Sequence, residues 1–449
     1  MNKNEEYIVD IIDNGFQGEG IAKIDGFPIF IPNAINGEKV KIKIVKVTSS
    51  HAFGKIINII NQSVNRNEVD CETYLRCGGC NLRHVQYDET LNIKKKSVEN
   101  TLKKALGRSV VIDEIIKMDY PFFYRNKLQY PVGMRNGEPV MGVFAERTHE
   151  IIPTTNCKIQ NEISQNIAND IFEFIKNNNI SVYDEKTLKG SIRHIIIRIG
   201  IKTNDIMITI VSNSYEIEKE DILIQYITNK YSNIKTIVKN VNNKNTNVIL
   251  GKENVVLYGD GYIFDYIGNK IFKISPMSFY QVNPVQTEKL YSKAVEYANL
   301  KGNETIFDLY CGIGTIGIFA SNKVNKIYGI ETIPEAINDA KENALLNNIK
   351  NAEYLVGDVE NTLPEYIKNN NVHADVVFID PPRKGCDKTA LETIMQILPE
   401  KIVYVSCNPA TLARDLKILE DKYELKNISI CDMFPWTSHV ECVTSLILK

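Results

Sequence analysis

Residues 305–317 read TIFDLYCGIGTIG, an apolar run that carries an acid and opens into a glycine-rich turn. Four runs of similar build follow: KIYGIE (326–331), AEYLVGD (352–358), ADVVFID (374–380) and KIVYVSC (401–407). Stretches with helical patterning separate them, as in IPEAINDAKENALLNN (333–348). Strand patterns alternating with helix patterns predict an α/β fold with a parallel, doubly wound sheet. Ligands of such sheets bind outside the carboxyl ends of the strands. The residues that close each run are therefore the first candidates for a site.

Gly312 and Gly314 permit a tight turn and a close backbone approach to a ligand. Glu331 closes the next run, where a carboxylate accepts hydrogen bonds from ribose hydroxyls, and Asp358 closes the third. Acids at successive strand ends, beside a glycine loop with no phosphate-binding lysine, predict an adenosyl ligand. S-adenosylmethionine suits that pattern better than NAD, whose pyrophosphate needs a helix terminus.

Two further strand ends carry chemistry. Asp380-Pro381-Pro382-Arg383 closes ADVVFID, and the cation at 383 stands where amino-group methylation would want an aromatic to stack a base. Ser406-Cys407-Asn408-Pro409 closes the last parallel run. A lone cysteine is more often inert packing. Here it sits at the ligand edge, Pro409 reverses the chain, and the helix TLARDLKIL follows. The positive end of that helix is expected to lower the Cys407 thiol pKa. Near the C terminus, FPWTSHVEC (434–442) places Glu441 ahead of a final apolar strand, where a water-poor pocket would make it a general base.

Working outward, residues 1–60 show closely spaced short strands, the pattern of a small β-barrel. Lys39, Lys41 and Lys43 alternate there with Val40, Ile42 and Ile44, so lysines share one face and apolar residues the other. Residues 61–265 form a middle region with a helix-patterned stretch LNIKKKSVENTLKKAL and strands such as SIRHIIIRIG, and residues 266–449 form the doubly wound unit. Cys71, Cys77, Cys80 and the distant Cys157 offer four thiolates in the first half. Such clustering in a large intracellular chain points to metal or catalysis rather than disulfides, and spacing alone leaves zinc and an iron–sulfur cluster as rivals for the four thiolates. A net charge of −2 argues against holding nucleic acid by bulk charge. With no long apolar run and no leader, the chain is expected to be cytoplasmic, with neither a membrane nor DNA as partner.

At FYQVN (279–283), DLYCGIGTIG, IETIPEAI, DPPRKG, SCNPATLARDL and HVECV the chain resembles the RNA uridine-5-methyltransferase family, in order and over essentially its whole length. The resemblance implies a Rossmann-like class I methyltransferase domain, a TRAM barrel at residues 1–60 and a central α+β domain carrying a cluster. It implies Cys407 as nucleophile and Glu441 as base, with S-adenosylmethionine contacts at Gln281, Tyr310, Glu331 and Asp380. Asp380 also lies near the target base in that arrangement, and Cys311 is a packing residue. By resemblance to the ribosomal-RNA branch, the four cysteines hold a 4Fe–4S cluster. Barrel and cluster together favour 23S ribosomal RNA as substrate, with the barrel lysines on phosphates and the base flipped into the pocket. Two other readings compete: the same chemistry on transfer RNA, and a non-catalytic iron–sulfur RNA-binding protein.

Overall fold

The computed structural model describes residues 1–449 as sheets of six, seven and eight strands and one two-stranded hairpin. No helix is long and apolar enough to cross a membrane. The six-stranded sheet runs from Glu6–Asp10 to Ala52–Asn61 and surrounds its own apolar core. The period-two pattern of Lys39–Val47 holds in space: Val40, Ile42 and Ile44 are fully buried, while Lys41 lies outside and meets Glu6 at 2.8 Å.

The seven-stranded sheet is centred on Ile192–Ile199 and Ile206–Ser212, whose residues are buried throughout. Burial on both faces explains why these runs are nearly continuously apolar. Ile195, Ile197 and Ile199 pack with the helices Glu162–Asn177 and Glu220–Lys230. Strand alternation therefore turns His194, Ile196 and Arg198 to the opposite face. On that face Met207 joins the core of the C-terminal unit.

The eight-stranded sheet has the order Ala352–Val356, Lys326–Glu331, Thr305–Leu309, Val376–Ile379, Lys401–Ser406, Glu441–Leu448, Tyr423–Cys431, Glu114–Ile116. The first five are mutually parallel, and Glu441–Leu448 runs antiparallel to its neighbours. Strand order reverses between Thr305–Leu309 and Val376–Ile379, which creates the switch-point crevice of a doubly wound sheet. Helices cover both faces over two large cores.

One segment departs from the sequence division at residue 265. The helix Tyr87–Leu106 buries Val98, Leu102 and Leu106 in the same core as Leu412 and Leu416 of the helix Pro409–Leu419. Glu114–Ile116 then adds in parallel to Ser429–Cys431. These residues belong to the C-terminal unit. Periodicity predicted the helix and its apolar stripe, but not the surface that covers the stripe. Lys94 on this helix forms a buried ion pair with Asp432 and also donates to the Phe434 carbonyl at 3.0 Å, which ties the helix to the chain leading into Glu441.

Candidate active site

The glycine loop starts from Asp308, a buried acid whose Oδ2 accepts the Gly317 N–H at 2.8 Å and whose Oδ1 has no partner. Burial and the charges of Asp380 and Glu331 push its carboxyl up to about 7, while the Gly317 bond pulls it down. Tyr310, Gly312 and Gly314 all take the left-handed backbone, with φ of 63°, 54° and 81°. At Gly314 a Cβ would stand 2.9 Å from the Tyr354 hydroxyl, so only glycine fits, whereas a Cβ at Gly312 would meet open space. That open side is where a ligand can approach the backbone. Cys311 is buried among Ile337, Ala340, Ala344 and Tyr354, a packing position.

Glu331 closes the neighbouring strand. Its Oε2 accepts the Gly312 N–H at 3.2 Å, and its Oε1 accepts from the Thr332 hydroxyl at 2.9 Å and the Ile333 N–H at 3.1 Å. The carboxylate is thereby fixed against the loop. Ile333 stands 54% exposed beside it, an apolar ledge that suits the flat face of an adenine. Asp358 lies exposed at the end of the outermost strand, heading the helix Val359–Asn370. Gln281 sits in the turn before the helix Pro284–Ala298, held through its carbonyl by the Asn126 amide at 3.1 Å. The loop, the fixed acid and the ledge form a cradle that fits the adenosyl half of S-adenosylmethionine.

The acid and thiol centre lies on the other side of the crevice. Ser406 pairs with Cys442 across two antiparallel strands, so the next residue on each, Cys407 and Glu441, face one another at the same sheet edge. Asp380 ends the strand alongside. The three groups act on one another. Glu441 is 4% exposed, and burial followed by the Asp380 charge raises its carboxyl well above the ordinary range, with Arg383 drawing it down. Asp380 keeps some access to solvent, yet the protein packed round it raises its carboxyl to about 7. The half-buried Cys407 thiol is pushed up to about 11 by burial, then by Glu441 and Asp380, and Arg383 opposes them.

This corrects the sequence expectation for the thiol. The helix does start at Pro409, but Asn408 caps it with its own side chain, which accepts the Ala410 N–H at 3.0 Å. Burial and the two facing carboxyls outweigh the helix end. Arg383 holds its place through its carbonyl, which accepts the Asn408 amide at 3.1 Å and the Thr411 hydroxyl at 3.4 Å. Sequence reasoning assigned no role to Asp308, Ile333 or the charge of Arg383. The first is signalled by an acid inside an apolar strand, the last by a cation following two prolines at a strand end.

Cys71 precedes the short helix Tyr74–Cys77, Cys77 ends it, and Cys80 follows the turn at Gly78, which takes φ 65°. Cys157 comes from the turn ahead of Glu162–Asn177, where its N–H donates to the Gln165 side chain and its carbonyl accepts from the same amide at 3.0 Å. Burial raises the thiols of Cys77, Cys80 and Cys157, and the charges of their fellow cysteines raise them further. The four are electrostatic neighbours. No three His, Cys, Asp or Glu side chains come close enough together to hold a metal ion.

A family model described as tRNA (uracil-5-)-methyltransferase matches residues 86–449, and the TRAM domain model matches residues 2–57. A protein described as an uncharacterized RNA methyltransferase from Clostridium acetobutylicum is 48% identical, covering 99% of this chain and 97% of its own. One of the same description from Clostridium tetani is 47% identical, covering 99% of this chain and 96% of its own. The crystal structure of Pyrococcus abyssi tRNA (uracil-54, C5)-methyltransferase in complex with S-adenosyl-L-homocysteine matches with a TM-score of 0.80 at 27% identity, covering 98% of this chain and 100% of that one.

Proposed function

The chain belongs to the tRNA (uracil-5-)-methyltransferase family, with a TRAM domain ahead of a class I methyltransferase fold, and from that premise we propose that it methylates carbon 5 of a uridine in 23S ribosomal RNA, using Cys407 as nucleophile and Glu441 as base. The observation that carries the assignment of residues is the placement of Cys407 opposite Glu441 at adjoining strand ends, beside Asp380.

Carbon 5 of uracil is too weak a nucleophile to take a methyl group unaided. The Cys407 thiolate adds to carbon 6, and the electrons of the 5,6 double bond pass into the ring enolate, which makes carbon 5 nucleophilic. S-adenosylmethionine, when bound, supplies the methyl group as a sulfonium electrophile. Once carbon 5 carries that group, Glu441 takes the remaining proton, the double bond re-forms and the Cys407 sulfur leaves. A carboxyl held well above its usual range by burial is a stronger base for that proton. Arg383 favours the charged forms of both residues. Gln281, Tyr310, Gly312, Gly314, Glu331, Asp358 and Asp380 are the proposed donor contacts.

The choice of 23S ribosomal RNA rests on the resemblance of the cysteine motif to the ribosomal branch. A second reading, transfer RNA, is favoured by the full-length match to the Pyrococcus abyssi transfer-RNA enzyme. Because that match includes the N-terminal segment, the barrel does not separate the two. Purified protein, donor and RNA from a strain lacking the enzyme decide between them. We expect 5-methyluridine to form in 23S ribosomal RNA and not in transfer RNA, and labelling confined to transfer RNA would overturn this choice.

For Cys71, Cys77, Cys80 and Cys157 we propose a 4Fe–4S cluster, with zinc the less favoured occupant. The support is a donor set of four thiols from two segments, in which burial and then the fellow cysteines disfavour ionisation of Cys77, Cys80 and Cys157, a conflict that a cationic centre relieves. The set stands too open here to hold a metal and would have to close round the cluster. The cluster would fix the RNA-facing loops, since methylation consumes no electrons. Protein purified without oxygen is expected to be brown and to carry about four irons per chain, as a cluster of this type held by four thiolates requires. Zinc without iron would exclude the cluster.

A further inference from the structure

Seven of the chain's eleven arginines form ion pairs with a carboxylate. Arg125, Arg193, Arg198 and Arg383 do not. Arg193 is satisfied by carbonyls, donating to Asn242 at 2.6 Å and Lys244 at 2.8 Å. The other three share one electrostatic neighbourhood. Burial depresses the imidazole of His439, two residues ahead of Glu441, and the charges of Arg383, Lys94 and Arg125 add to it. Arg125 and Arg198 both depress Lys127, whose ammonium burial and these charges bring down to about 8. Lys127 and Arg198 stand opposite each other on neighbouring strands of the central sheet. Cations thus run from the catalytic pocket, past His439, to the start of the strand Lys127–Arg135, where Arg125 and Lys127 are half-buried and Arg198 beside them is buried against Ser278.

Arg125, Lys127 and Arg198 form no ion pair with a carboxylate, whereas Arg383 faces Glu441. Arg198 is 3% exposed, donates one Nη2 bond to the Ser278 carbonyl at 3.2 Å and leaves Nη1 without a partner. The buried Nε of Arg125 has none either, nor does Nδ1 of His194 on the same face. Three other buried bases have an acid, Arg83 on Asp70, Lys94 on Asp432 and Lys239 on Glu220, while Lys270 is held by the Asn322 side-chain oxygen at 3.0 Å. Desolvated cations without a counter-charge are costly to a fold, so a row of them marks a place where an anion arrives from outside. The substrate class of this family brings one anion per nucleotide. The row also abuts the turn that carries Gln281, through Arg198 on Ser278 and Asn126 on Gln281.

We propose that Arg125 and Lys127, backed by Arg198, form a phosphate-binding track that carries the RNA backbone away from the catalytic pocket past the start of the strand Lys127–Arg135. The half-buried Arg125 and Lys127 make the contacts, and Arg198 beneath them supplies charge and anchors the 275–283 turn. The track rests on the RNA-methylation reading and deepens it by naming where the strand bearing the target uridine runs. Backbone contacts are blind to sequence, so the track serves ribosomal and transfer RNA alike.

The test uses the full-length protein with 23S ribosomal RNA and transfer RNA transcripts, and measures binding over a series of potassium chloride concentrations. Lys127→Gln and Arg125→Gln are each expected to weaken binding to both transcripts about tenfold and to flatten the plot of log affinity against log salt by about 0.7, the loss of one phosphate contact on single-stranded RNA. S-adenosylmethionine binding stays at the wild-type value in both, which certifies folding, and Lys127→Arg keeps the wild-type slope. Two independent positions ensure that one misfolded variant does not leave the question open. If wild-type protein methylates RNA but both glutamine variants keep its affinity and slope, the track is wrong. If wild-type protein methylates neither RNA, the functional reading fails first and the track falls with it.

Discussion

Cys407→Ala is expected to lose uridine methylation by at least about four orders of magnitude, because no other group can open the 5,6 double bond. Binding of S-adenosylmethionine should be unchanged. The cofactor cradle is built from Glu331, the glycine loop and Ile333, and the thiol lies across the crevice at the next strand pair. Single-turnover methylation with donor and RNA in excess, alongside calorimetric donor binding, reads both effects. Residual activity within a hundredfold of wild type would remove Cys407 from the mechanism. The thiol also sets the pH dependence. With its pKa raised to about 11, the reactive thiolate grows as pH rises, so the wild-type single-turnover rate should climb from neutral pH into the alkaline range. Removing the Asp380 charge, which helps to hold the thiol up, would move that rise to lower pH.

Glu441→Gln is expected to accumulate protein covalently joined to RNA. Cys407 addition needs no carboxylate, but release of the sulfur waits for the carbon 5 proton to leave, and an amide does not take it. The adduct should survive denaturation and migrate as a slow band that nuclease collapses, while turnover falls at least about a thousandfold, the scale of a lost general base. The same variant removes the charge that contributes to the raised thiol, so the first addition should be at least as fast as in wild type. Absence of any adduct, with turnover lost, would place the base elsewhere, and Asp380 would be the next group to test.

Much of this arrangement was legible in the chain because a doubly wound sheet delivers its strand ends to one edge. TIFDLY, KIYGIE, ADVVFID and KIVYVSC each end at the crevice, and their last residues nominated Glu331 and Cys407, while the role proposed for Asp380 came from the family resemblance. Glu441 came from its motif alone, and only the antiparallel register of Glu441–Leu448 against Lys401–Ser406 shows why it faces the thiol. Other features depend on through-space fields that no local pattern encodes. The thiol follows its burial and its facing carboxyls rather than the helix behind it. Arg125 and Lys127 look like ordinary surface charges in YRNKLQY until the carboxylates of the whole molecule are found to be elsewhere. The destination of the helix Tyr87–Leu106 was hidden because an apolar stripe declares that it will be covered, not by what.

The parallel pairing of Glu114–Ile116 with Ser429–Cys431 has a consequence for how the chain comes off the ribosome. The edge strand and its companion helix are made early, and the surface they occupy is made last, after more than three hundred further residues have emerged. Until then an apolar helix face and an unpaired strand wait in the open, a long-range closure of the kind that folds slowly and invites self-association. The final turn of synthesis therefore completes three things together: the sheet edge, the anchor of Lys94 on Asp432, and the strand that begins with Glu441.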